Sequence, residues 1–359
     1  MLPLPDPRPA DRLKRLSVLK HWAILVAGSV LLAGVLELVG LPAALLLGPM
    51  IAGILLATGG GGVRAPRLPV IAAQAVVGCL IARAITADIA LAFLRDWPLF
   101  LGVVVVIVAT SGLLGWSIAR FKVLPGSTAV WGTAPGAAQA MMVLAGDFGA
   151  DARLVAFMQY LRVVCVAGLA SIVARVWVGP IAVVPHAAWF PAVPWLDFAA
   201  TLALVGAGVA AHAWLRVPAG ALLVPMIAGA PLEGSGLVHI HLPPWLLAAS
   251  YALLGWNVGL GFTREILAHA WRALPQVLAS IFALIAVCGA LAFVLVHAAG
   301  IDPLTAYLAT TPGGMDSVAI IAASSTADLS FVMALQTVRF AIVLIAGPPL
   351  ARFIARRTG

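Results

Sequence analysis

The sequence predicts an all-α polytopic membrane protein. About ten transmembrane helices fall into two inverted repeats, each with a re-entrant or discontinuous segment broken at Pro-Gly. Three observations lead there. Hydrophobic residues make up 63% of the 359 and charged residues only 9%, whereas soluble domains carry about 25% charged residues. Apolar runs of bilayer-crossing length recur along the whole chain. Finally, one stretch returns at fixed spacing. Thr133-Ala134-Pro135-Gly136-Ala137-Ala138-Gln139, followed by Asp151, Gln159 and Arg162, is answered by Thr310-Thr311-Pro312-Gly313-Gly314-Met315-Asp316, followed by Asp328, Gln336 and Arg339. The offset is identical at the proline, Asp, Gln and Arg positions (312 − 135, 328 − 151, 336 − 159 and 339 − 162).

Residues 1–20 form a basic cytoplasmic tail with Arg8, Arg12, Lys14, Arg15 and Lys20. Pro3, Pro5, Pro7 and Pro9 keep it extended. It is not a cleaved leader, because the apolar run that follows is long and ends at Glu37–Gly40 without a small-residue cleavage pattern. Repeat 1 occupies 21–178, with spans at 21–39, 41–58, 68–86, 97–119 and 151–176. An inter-repeat loop, 179–194, follows. Repeat 2 occupies 195–350, with spans at 195–215, 217–232, 245–263, 274–297 and 328–350, and a basic cytoplasmic C-terminus fills 351–359. The broken segments are 126–147 and 303–325, both rich in Ala, Gly, Ser and Thr. Irregular backbone at membrane depth survives only where protein or a cavity surrounds it. Trp22, Trp97, Trp195, Trp245 and Trp271 sit at expected membrane boundaries.

The inversion follows from charge. If 126–147 is re-entrant, each half crosses an odd number of times and the second half is upside down. With the N-terminus inside, Arg64, Arg67, Arg120, Lys122, Arg216, Arg264 and Arg272 then all lie at inner ends. A full crossing by 126–147 would send Arg216, Arg264 and Arg272 outside, against the preference of Lys and Arg for cytoplasmic loops. The net charge of +8 is spread over segment ends, so nucleic acid is not an expected partner. Cys79, Cys165 and Cys288 lie in apolar segments with no metal or disulfide spacing.

The candidate substrate-binding residues are Pro135, Gly136, Gln139, Gln159 and Arg162, with Pro312, Gly313, Gly314, Gln336 and Arg339. A broken helix frees N–H groups that attract anions and carbonyls that attract cations. Arg162 and Arg339 lie well inside their spans, where an arginine is costly and marks function by default. Each offers a fork for a carboxylate, or else pairs structurally with Asp151, Asp328 or freed carbonyls. Gln159 and Gln336, three residues earlier, share the arginine's helix face. Asp316, two residues past Pro-Gly-Gly where the first copy has Gln139, is the first candidate for ion coupling. Asp151 and Asp328 are the other two, with an N-cap role as the competing explanation. Gln74 and Asn257 could face a central cavity. His239 and His241 lack a third ligand, and no metal site, cofactor or catalytic nucleophile is expected.

At Gly48-Pro49-Met50-Ile51-Ala52-Gly53, Val224-Pro225-Met226-Ile227-Ala228-Gly229 and the two Thr-x-Pro-Gly or Thr-Pro-Gly-Gly breaks, the chain resembles the AbrB-type duplicated membrane protein family. That family is also labelled as an ammonia monooxygenase. The resemblance covers about residues 20–350. It implies likeness to the cation/proton antiporter and anion transporter group, with inverted five-helix repeats and crossed broken segments. The monooxygenase label would need a copper or iron site built from several ligands, and no such cluster stands in the sequence.

The expected function is secondary active transport of a small, carboxylate-like organic anion, coupled to H⁺ or Na⁺. The expected partners are the lipid bilayer, that anion and the coupling ion, in a bacterial inner membrane, and a homodimer is compatible with this. The alternative is a membrane-embedded ligand sensor that regulates gene expression through a partner protein.

Overall fold

Apolar composition and period decide the secondary structure throughout. The computed structural model describes residues 17–39, 43–83, 85, 87–124, 126–177, 189–215, 219–313, 318 and 327–358. Every regular element among them is helical: α1 (Val18–Leu38), α2 (Ala44–Thr58), α3 (Arg67–Arg83), α4 (Ala87–Arg120), α5 (Gly126–Thr133), α6 (Ala138–Asp147) and α7 (Ala152–Trp177) come first. Then follow α8 (Trp195–Leu215), α9 (Gly220–Gly234), α10 (Pro244–Gly259), α11 (Arg264–Ala299), α12 (Pro303–Thr310) and α13 (Leu329–Thr358).

Five of these are long and apolar enough to cross a membrane over Val18–Leu38, Leu94–Arg120, Trp195–Trp214, Arg264–Ala299 and Leu329–Ile354. By contrast, α2 and α9 are apolar but have only 15 residues each, roughly 22 Å at 1.5 Å per residue. Their ends therefore stop short of a full hydrocarbon layer of about 30 Å. Both begin at an alanine in the left-handed region, Ala43 at φ 58° and Ala219 at φ 54°. Such a conformation costs a non-glycine residue energy and appears at matching places in both halves.

Three helical stretches outrun the expected spans. The helical stretch α4 begins ten residues before position 97, but Asp96 (φ −119°, ψ 26°) is non-helical and kinks it ahead of Pro98, so two helices meet end to end there and the second begins where the expected span does. α11 begins at Arg264 on a capped turn, where Thr263 Oγ1 accepts from the Ile266 N–H. Pro275 inside α11 does not stop it. α13 runs through Pro348 and Pro349 to Thr358, so the basic segment expected as a C-terminal tail is helical.

Packing brings the halves together as counterparts. α2 lies on α10, and α3 lies on α9. Glycines make both approaches possible. A Cβ built on Gly255 of α10 would stand 2.6 Å from the Leu46 carbonyl oxygen of α2, and one built on Gly78 of α3 would strike the Leu222 carbonyl of α9. Gly78 and Gly255 are themselves separated by the same spacing as the two Pro-Gly breaks (255 − 78 and 312 − 135). A second group gathers around the breaks: α5 and α13 pack on α4, α12 packs on α11 and α13, and α5 and α6 pack on α7. Here Trp131 of α5 is fully buried, and a Cβ on Gly347 of α13 would lie 2.9 Å from its ring. Trp131 also stacks on Phe148 at 5.9 Å, and the Arg352 guanidinium sits 5.5 Å from the Phe148 ring.

Gly255→Ala should lower the melting temperature of the detergent-purified protein, since overpacking against backbone costs about 1–3 kcal/mol. Gly289→Ala on α11, where an added Cβ meets no atom within 4 Å, should leave it unchanged or raise it. Equal losses in the two variants would remove the close-approach explanation.

Candidate functional site

Pro135 and Gly136 interrupt the 126–147 segment. α5 ends at Thr133, α6 starts at Ala138, and residues 134–137 between them are not helical. Proline supplies no N–H, so the last carbonyls of α5 cannot be taken up by continuing the helix. In the second half α12 ends at Thr310, and Pro312 and Gly313 follow in the same non-helical state. Pro135, Gly136, Pro312 and Gly313 are all buried. Gly314 and Asp316 lie outside the described residues, with most of 314–326.

The freed carbonyls have partners. Arg162 of α7 donates through Nη1 to the carbonyls of Thr133 (3.1 Å) and Ala134 (2.9 Å), and through Nη2 to Gln159 Oε1. Gln159 Nε2 donates to the carbonyls of Trp131 (2.8 Å) and Ala134 (3.0 Å). The same bonds recur in the second half. Arg339 of α13 donates through Nη1 to the carbonyls of Thr311 (2.8 Å) and Thr310 (3.5 Å), and through Nη2 to Gln336 Oε1. Gln336 Nε2 donates to the carbonyls of Leu308 (3.0 Å) and Thr311 (3.2 Å).

The i, i+3 spacing puts each glutamine beside its arginine on one helix face. A cation at the C-terminal end of a short helix also meets the negative pole of its dipole. Both arginines are 2% exposed and both glutamines 0%. No carboxylate pairs with either guanidinium among the described residues, and the Nε atom of each has no hydrogen-bond partner. The two guanidiniums lie within electrostatic range of each other, and buried Cys288 of α11 lies within range of both. Gln139 is half-buried at the start of α6.

Asp151 and Asp328 cap their helices. Asp151 Oδ1 accepts from the Arg153 N–H at 3.0 Å, and Asp328 Oδ1 accepts from the Phe331 N–H at 3.0 Å. Each backbone N–H in turn donates to a threonine, Asp151 to Thr128 and Asp328 to Thr305. The halves differ beyond this point. Asp151 also holds the Arg153 side chain in an ion pair of 2.8 Å, and Arg153 Nη1 donates to the Gly261 carbonyl at 2.8 Å. Asp151 stands just ahead of α7, outside the helix itself. Burial pushes its carboxyl up, but the hydrogen bonds and charge of Arg153 outweigh that and hold it below its ordinary value.

Gln74 and Asn257 do line a common cavity, of about 150 Å³. Asp147, the last residue of α6, lines it with them, and its Oδ2 accepts from the Ala219 N–H at the start of α9. Asp147 escaped the sequence reading because it has no counterpart: the matching position in the second half, 324, is serine. The one available signal was a carboxylate closing an otherwise uncharged 126–147 segment.

Gln159→Leu strands the Trp131 carbonyl and one arm of Arg162 in the interior, and each buried unpaired group costs about 1–3 kcal/mol. It should lower the melting temperature clearly, while Gln139→Leu should shift it little. The Asp151–Arg153 pair adds stability above the ordinary aspartate pKa of about 3.9 and loses it as pH falls through the lower folded value. Asp151→Asn should therefore flatten the acid limb of a stability–pH profile, and an unchanged limb would remove this assignment.

Comparison with known proteins identifies the family. Residues 45–355 match the family model "Transition state regulatory protein AbrB". The chain is similar to "Putative regulator AbrB" of Escherichia coli (strain K12), at 47% identity over 93% of this chain and 97% of that one. It is also similar to "Uncharacterized protein YhjN" of Bacillus subtilis (strain 168), at 27% identity over 74% of this chain and 73% of that one. The chain belongs to the AbrB family.

Proposed function

We propose that this AbrB-family membrane protein is a secondary active transporter of a small organic anion, with a carboxylate as the group recognised. The reading is transport and not catalysis. The observation behind it is the pair of buried Gln–Arg forks, each clasping the carbonyl end of a broken helix. A Gly/Pro-interrupted segment at corresponding positions of two repeats is a strong pointer to a transporter binding site. Among the described residues neither guanidinium has a paired carboxylate, which leaves positive charge for an anion to offset.

In this reading the chain crosses the membrane ten times in two inverted repeats, with both termini cytoplasmic in a bacterial inner membrane. The substrate sits where the two breaks approach, next to Gln139, Arg162 and Arg339. Asp316 is the coupling group for H⁺ or Na⁺, with Asp151 or Asp328 as the second. The helices around the breaks move against the group built from α1–α3 and α8–α10. A homodimer fits this scheme but is not needed by it.

Proteoliposomes loaded with the purified protein test it, with uptake of a panel of small carboxylates measured under imposed pH and Na⁺ gradients. Wild type should accumulate at least one of them. Arg162→Gln and Arg339→Gln should abolish uptake, with melting curves run alongside to separate a lost site from a lost fold. Full uptake by both variants would remove the mechanism. Saturable binding without accumulation would favour the ligand-sensing alternative over transport.

A further inference from the structure

We propose that the cleft lined by Gln74, Asp147 and Asn257 is a binding site for a small monovalent cation, an alkali-metal ion or a primary ammonium group. It involves none of the residues assigned above to the anion or to coupling, and it does not depend on the transport reading.

The donor set indicates the ligand. Asp147 brings a carboxylate, and Gln74 and Asn257 each bring an amide that can present a carbonyl oxygen. Hard cations are held by oxygen donors. One negative charge balances one positive charge, whereas a calcium site gathers about six to eight oxygen ligands, carboxylates among them. Among the described residues no Lys or Arg pairs with Asp147. Of the basic residues near it, Arg153, the nearest in sequence, is committed to Asp151 and to the Gly261 carbonyl, and Arg352 lies over the ring of the neighbouring Phe148. Among the described residues the carboxylate charge of the cleft has no cationic partner, which leaves it for a ligand, and the same charge excludes an anion.

Size and position agree. A volume of about 150 Å³ is several times what a single water requires, enough for a partly hydrated ion. The lining comes from both helix groups: Gln74 from α3 and Leu254, Asn257 and Val258 from α10, against Met142 and Asp147 from α6. Asp147 also reaches across to the strained Ala219 N-cap of α9. A cation bound here touches both groups at once and so favours the arrangement in which they meet. That differential contact is what a ligand needs in order to shift a conformational equilibrium.

The test measures the melting temperature of the purified protein in NaCl, KCl or methylammonium chloride, with choline chloride keeping ionic strength constant. A ligand at about 100 times its Kd stabilises by about 2.7 kcal/mol, which reads as a shift of a few degrees in a saturable titration. Wild type should show that shift with at least one small cation. Separate Na⁺, K⁺ and methylammonium titrations distinguish an alkali-metal ion from an ammonium ligand. Asp147→Asn keeps an oxygen for the Ala219 N–H but loses the charge, so it should melt near wild type in choline and lose the cation shift. Should that variant not fold, Asn257→Leu, which leaves the Asp147–Ala219 bond in place, must weaken the shift. Identical melting of wild type in all four salts, or equal cation shifts in wild type and variants, overturns the proposal. Neither result bears on carboxylate uptake, so this site and the anion site fail separately.

Discussion

The carbonyl oxygens left at a helix end inside an apolar interior must find donors, and here each end finds one guanidinium and one amide. That constraint fixes much of the rest. Arg162 can serve α5 only if α7 packs along it with residue 162 level with the break, and Gln159 must precede it by three positions to complete the set. The long α7 and α13 are in this sense frames for two short helices. The arrangement also sets a limit on motion. Either break can open only by surrendering several hydrogen bonds at once, so any rearrangement is more economical as a displacement of whole helices.

Much of this was readable from the chain. The breaks, the Gln and Arg partners and the constant offset between the halves stand in the sequence, and the hydrogen bonds repeat at the same offset. What could not be read was what the arginines hold. A fork suited to a carboxylate is equally suited to two backbone carbonyls, and only coordinates tell which faces it. The extra length of α11 was hidden because Pro275 looks like a stop, although the helix runs past it, whereas next to Pro98 the chain does break its helical geometry, at Asp96. Asp147 was hidden for a different reason. Duplication draws the eye to what is repeated, and this carboxylate stands in one half only.

The departures from symmetry are informative in themselves. Two halves with the same scaffold bonds can do different chemistry only where their residues differ. Arg153 has Ser330 as its counterpart and Asp147 has Ser324. One half therefore has an extra tie to the α10–α11 turn and an extra charged cleft. The shared bonds explain the architecture, and the unshared ones are where a directional device has to be sought.

The seat of Trp131 has a consequence for how the protein comes into being. Its indole, in the first half, is closed over by Gly347 near the very end of the second, and Arg352 covers the neighbouring Phe148 ring. During synthesis this socket stays open until α13 has left the ribosome. The amino-terminal half must wait in the bilayer as an unfinished piece. Splitting the gene between α7 and α8 would then give two polypeptides that mature only by assembling with each other.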